Sequence, residues 1–180
     1  MIKRFFVPLV VTLLFLLLPP AFYFLDYSQS MSIKKEEVVY ILPYPGILPD
    51  HPLYFVKTVR DRMIDWVTRD NLKKAEYYLL FSDKRAAMAI SLAKKGKDNL
   101  AISTYSKAEK YFQKIPELLR EAKKQGAGPG SEFVNNLKLS NAKHYEIGEN
   151  LLRDLPQGSS AEINQILKLN QETKKELDKF

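Results

Sequence analysis

Few side chains in this sequence have types and spacing that could do chemistry. The two histidines, His51 and His144, are the only imidazoles, and there is no cysteine. A zinc-like site would therefore have to combine imidazole with carboxylate. His144 precedes Glu146 and Glu149 on one segment, but the i, i+4 histidine pair of a metalloprotease helix is missing. His51 stands between Asp50 and Pro52 and reads as a turn residue. His144 shares a helical face with Leu137 and Leu151 and reads as a satisfied core or boundary histidine. Carboxylates are numerous, yet none stands in an apolar stretch of the kind that raises a pKa for general acid work. Neither a glycine-rich phosphate loop nor a Gly-x-Ser-x-Gly elbow is present. Trp66, with Tyr54 and Phe55 nearby, could line a groove, although core packing is the expected role of all three. No catalytic, cofactor-binding or metal-binding residue is expected, and the chain reads as non-enzymatic.

The strongest signal lies at the start. Lys3 and Arg4 precede Phe5–Leu25, in which no charge occurs and Thr12 is the one polar side chain before Asp26. About 20 apolar residues suffice to cross the roughly 30 Å hydrocarbon core. The paired cations mark the cytoplasmic end and send the remainder outside. Pro19 and Pro20 shorten the apolar core toward the length of a cleaved signal. Against cleavage, Ala21 follows two prolines and precedes Phe22-Tyr23-Phe24, and Ser28-Gln29-Ser30 is the other small-x-small triplet. Phe22, Tyr23, Phe24 and Tyr27 suit an interfacial belt. A retained anchor is preferred and a cleaved signal stays open. The chain is placed at the cell membrane as a single-pass protein with an extracytoplasmic domain, or secreted if cut.

Lys3, Arg4 and Asp26 are the charges of the first thirty residues, so +6 of the chain's net +7 lies beyond them. Those charges are interspersed, as in Lys73-Lys74-Ala75-Glu76, which suits a solvated helical surface and no nucleic-acid partner. Without disulfides, an exported domain must hold by its apolar core.

The segments divide as 1–27, signal or anchor; 28–52, tether and Pro-rich arm; and 53–180, a helical bundle. In the arm, Pro43, Pro45, Gly46, Pro49 and Pro52 exclude a helix and favour extended backbone. Ile41, Leu42, Tyr44, Ile47 and Leu48 are expected to lie against the bundle. Asp50 is placed to cap a first helix, whose Leu53, Val56, Arg60, Met63 and Val67 share one face as far as about Thr68. Asp70 opens a second helix that Gly96 stops, with Leu72, Ala75, Leu79, Ser82, Ala86, Ala89 and Ala93 in an unbroken heptad series. A third helix from about Asp98 carries Ala101, Tyr105, Ala108, Phe112, Ile115, Leu119 and Ala122, with a kink expected at Pro116. Gly126 to Gly130 breaks the chain. Ser131 is expected to cap a fourth helix ending near Leu155-Pro156, and Ser160 opens a last one. The fold class is all-α: about five helices preceded by an extended Pro-rich arm and an N-terminal hydrophobic signal or anchor segment.

The run Leu48-Pro49-Asp50-His51-Pro52-Leu53-Tyr54-Phe55-Val56-Lys57 resembles a family of uncharacterised exported bacterial domains with a Leu-Pro-x-x-Pro-Leu-Tyr-x-x-Lys signature. Asp70-Asn71-Leu72-Lys73-Lys74-Ala75-Glu76 is similar to the start of that family's second helix, and Ala86 to Lys97 to its continuation. The resemblance spans about residues 40 to 125 and implies architecture and export, with no activity. A weaker likeness joins Ala89, Gly96, Ala101, Tyr105 and Ala108 to one tetratricopeptide unit. It fails to recur at Lys123 and Asn135, so an ordinary helical hairpin is expected.

The expected function is a non-enzymatic extracytoplasmic binding or scaffold domain, tethered to the membrane by the N-terminal segment and using a protein partner. The alternatives are a sensor or regulatory partner module, and a subunit of an extracytoplasmic enzyme complex.

Overall fold

A computed structural model describes residues 39–180, so the expected anchor and most of the tether lie outside the described residues. Every regular element among the described residues is a helix. In chain order they are α1 (Tyr54–Val67), α2 (Asn71–Lys94), α3 (Asp98–Phe112), α4 (Ile115–Lys124), α5 (Ser131–Asp154) and α6 (Ser160–Leu177). A 3₁₀ turn, Gln157–Ser159, joins the last two.

The long helix α2 begins where Asp70 Oδ1 accepts a hydrogen bond from the Lys73 amide at 2.9 Å. It ends in a Schellman turn: the Lys97 amide reaches Leu92 O and the Gly96 amide reaches Ala93 O. Gly96 sits at φ +69°, a conformation that a side chain resists. The tight turn folds α3 back along α2. Alanines 86 and 89 and Ala101 and Ala108 are all buried, which lets the two backbones approach closely.

The expected third helix is two helices. The chain breaks at Gln113-Lys114, and Pro116 takes the second position of α4, where its missing N–H removes no helical bond. The break replaces the expected kink because a proline is tolerated in a first turn and not in an interior. The heptad series nonetheless runs through both pieces, and Ala101, Tyr105, Ala108, Phe112, Ile115, Leu119 and Ala122 are all buried.

The core forms two apolar clusters. One gathers Ala86, Ala89, Tyr105, Ala108, Ile147, Leu151, Ile163 and Leu167; the other gathers Ala75, Tyr78, Phe81, Phe112, Ile115, Leu119, Leu137 and Leu177. Between Phe81 and Ala86, Ala108 and Phe112, Leu137 and Ile147, and Leu167 and Leu177, each of four helices carries buried polar residues. Leu42 joins the first cluster and Pro45 is buried, whereas Ile41 and Tyr44 are exposed. Polyproline-like backbone repeats every three residues, so Leu42 and Pro45 share the inward side while Ile41 and Tyr44 share another, which corrects the expectation that all the arm's apolar residues pack inward.

Two expected caps are absent. Asp50 instead receives Lys95 Nζ at 3.2 Å and Lys97 Nζ at 2.8 Å, tying the start of α1 to the α2–α3 turn. Ser131 is the first helical residue of α5 and makes no capping bond there.

Candidate functional site

His144 lies fully buried on α5 between two carboxylates. Its Nδ1 is 2.7 Å from Glu109 Oε1 on α3, and its Nε2 is 3.0 Å from Asp83 Oδ1 on α2. Asp83 also accepts the Ser140 hydroxyl at 2.6 Å through Oδ1 and the Tyr40 hydroxyl at 2.6 Å through Oδ2. Glu109 Oε2 accepts Asn170 Nδ2 from α6 at 3.0 Å. Asn141 and Asn170 exchange bonds between side-chain amide and backbone carbonyl across α5 and α6. One polar layer thus joins four helices and the arm.

Periodicity explains this convergence. Asp83 falls between Leu79 and Ala86, and Glu109 between Tyr105 and Phe112, at the three- and four-residue steps that return a side chain to the core face. Burial works against a charged ring at His144. Glu109 and Asp83 more than offset it, and the ring is pushed up to about 9. An imidazolium donates from both nitrogens, which matches the two carboxylates. Both nitrogens are then occupied and Glu109 is sealed from solvent. The arrangement is suited to holding helices in register and holding a proton. It offers no free ring nitrogen to a substrate.

The expectation that no carboxylate stands in an apolar setting is corrected: Asp61, Asp83 and Glu109 are all buried. Asp61 stands between two arginines, Asp83 between Ser82 and Lys84, and Glu109 before Lys110, so the helical period is what marks each as inward. His144 itself is the satisfied core histidine that the spacing suggested. His51 Nδ1 accepts the Leu53 amide at 3.1 Å within the turn before α1, far in role from the buried layer. Among the described residues, no three His, Asp or Glu side chains are grouped to hold a metal ion.

A second arrangement concerns α1, which is turned inside out. Asp61, 1% exposed, meets Arg85 of α2 at 3.0 Å. The same guanidinium lies 4.4 Å from the Tyr111 ring centre and donates to Phe81 O. Asp65 accepts the Tyr78 hydroxyl at 2.6 Å, and Lys57 Nζ donates to Pro45 O at 2.8 Å. Burial pushes the Lys57 ammonium down to about 7. Polar groups therefore clamp α1 to the bundle. Its apolar side faces solvent: Trp66 is 86% exposed, Phe55 63% and Met63 62%, with Val56, Val59 and Val67 at least half exposed. The expected core roles of Trp66 and Phe55 are corrected accordingly, and so is the expected inward face of the helix. The acids of α1 find buried partners on α2, and Ile64 alone among its aliphatic side chains packs against the second apolar cluster.

An all-helical bundle divided by a sealed polar layer, with one outward-facing apolar helix, is the class of domain these features define. Residues 46–179 match the family described as Domain of unknown function (DUF5667), and the chain belongs to that family. The match extends past the stretch that carries the sequence resemblance and includes α5 and nearly all of the described C-terminus. No curated protein and no solved structure matches the chain.

Proposed function

We propose that this chain is a non-enzymatic, extracytoplasmic binding or scaffold module, tethered to the cell membrane through Phe5–Leu25. The observation that carries the reading is the exposed apolar face of α1. Monomeric soluble domains rarely present contiguous apolar surface of this kind unless something covers it. The sealed Asp83–His144–Glu109 layer supports a non-catalytic role, because its groups are engaged with one another. Lys3 and Arg4 before an uncharged span support the outward orientation of the domain.

Two measurements test the reading. A tag at Phe180 is expected to be cleaved by protease added to intact cells, and protection of that tag overturns the topology. A photo-cross-linker at Met63 is expected to capture a covering molecule, whereas one at exposed Glu172 is not. Equal, background labelling at both positions overturns the binding role.

One observation favours the sensor reading. Tyr40, from the segment leading to the membrane, bonds directly to Asp83 in the buried layer. Withdrawal of the arm removes a hydrogen bond from the centre of the bundle. That gives a route by which events at the membrane reach the core.

A further inference from the structure

We infer that the apolar face of α1 docks on the anionic surface of the membrane that anchors the chain. The inference rests on the tethered reading above and names the partner of that face.

At 100° per residue, Phe55, Val56, Val59, Met63, Trp66 and Val67 fall within an arc about 120° wide. Arg62 lies at one edge of the arc and Arg60 at the other. Arg62 is exposed, and Arg60 is 29% exposed while also reaching Asp61 at 2.7 Å. Both acids of the helix, Asp61 and Asp65, turn to the bundle. The outward half of α1 is thus apolar at its centre and cationic at its rims, with no carboxylate. That is the pattern of an interfacial helix, whose apolar face enters the acyl boundary while guanidinium groups meet phosphate. Trp66 supplies an amphipathic ring of the kind enriched at that depth.

The length of the chain puts the face within reach. Twelve residues separate Asp26, the end of the apolar segment, from Val39, the first described residue. Whatever their conformation, they span at most about 45 Å. The arm then runs beside α1, since Pro45 O accepts Lys57 Nζ. A tether this short keeps the face at high effective concentration near the bilayer. A second copy is a poorer occupant. Two such faces would bring arginine rims together with no acid on either to pair them.

Trp66 is the chain's single tryptophan, which makes it a direct probe. Full-length protein is reconstituted into vesicles of mixed phosphatidylglycerol and phosphatidylcholine, with and without acyl-brominated lipid. Trp66 emission is expected to be shifted to the blue and to lose most of its intensity to the brominated chains. Replacing phosphatidylglycerol by phosphatidylcholine, or making Arg62→Glu, is expected to restore at least half of that loss. The pair Val59→Ser with Met63→Gln, at exposed positions, is expected to restore it while the thermal midpoint stays unchanged. Unquenched, water-like emission in anionic vesicles overturns the inference. A blue shift without quenching overturns it too, and its growth with protein concentration identifies a second copy as the cover. Flotation of the protein with the vesicles reads the anchor separately. Protein that floats with Trp66 unquenched loses the docking surface and keeps the tether; protein that neither floats nor is quenched loses both.

Discussion

Asp61 on α1 and Arg85 on α2 meet at 3.0 Å with both side chains buried, and this pair decides which way α1 faces. Removing one partner leaves the other charge buried without compensation, at about 3–5 kcal/mol. Asp61→Ala is expected to lose about that much, and Asp61→Leu with Arg85→Met to recover most of it. Trp66→Ser, on the opposite side of the same helix, is expected to stay within about 0.5 kcal/mol. Thermal unfolding of the three variants checks this. Equal damage from Trp66→Ser and Asp61→Ala would mean that α1 faces the other way.

The pH dependence has two opposed parts. The folded chain holds the His144 proton to about 9 against an ordinary 6.5, so it binds more protons than the unfolded chain in that window. The stabilisation is full below pH 6.5 and is lost as the pH climbs through 9. Lys57 acts in the reverse sense, because its folded value of about 7 lies below 10.5. There the unfolded chain binds the extra proton, and stability rises from pH 7 to 10.5. Lys57→Met is therefore expected to steepen the fall in thermal midpoint between pH 7 and 9. Nitrogen-15 NMR at pH 7.5 is expected to find both His144 ring nitrogens protonated. A neutral ring there contradicts the account.

The arm offers a comparison between adjacent residues. Leu42 is buried among Ala86, Ile147 and neighbouring core residues, while Ile41 is exposed. Leu42→Ala is expected to cost about 2–5 kcal/mol and Ile41→Ala less than about 0.5. Tyr40→Phe removes a donor from the Asp83 carboxylate and is expected to cost about 1.5–3 kcal/mol. Amide exchange and denaturant melts read all three. Equal effects at positions 41 and 42 would place the arm off the bundle.

Gly148 marks a close approach of α5 to its neighbours. A Cβ there would sit 2.5 Å from both Tyr105 Oη and Leu167 Cδ2. Tyr105 Oη in turn donates to His144 O at 2.8 Å, so it has little freedom to retreat. Gly148→Ala is expected to destabilise by about 1–3 kcal/mol through overpacking. Gly128→Ala, with nothing within 4 Å of the new atom, is the silent comparison. Similar thermal midpoints for the two variants would show that the contact is looser than this.

The helices, and the inward faces of α2 to α6, were legible in the amino-acid order, because they depend on local periodicity and on residues such as Asp70 and Gly96 at the ends. The series from Ala101 to Ala122 is buried at every position, even across the break before Pro116. The break itself was read as a kink, since the spacing of apolar residues is blind to where backbone bonds are surrendered. Asp83 and Glu109 also left a trace, falling at core-returning steps of the helical period. A charge at such a step has no meaning until its partners are known, and His144, Ser140, Asn170 and Tyr40 come from three other stretches of chain.

What the sequence determined by itself was the all-helical class, the turns, and that α1 has an apolar side. Only the tertiary structure decided what that side faces. Periodicity is a property of one helix, whereas orientation is a competition between its two sides for the rest of the molecule. Here α2 through α6 fill most of the core, with Leu42 and Ile64 among the additions from outside them, and Arg85 and Tyr78 stand ready for Asp61 and Asp65. Burying those bonded pairs leaves the aliphatic side and Trp66 outside.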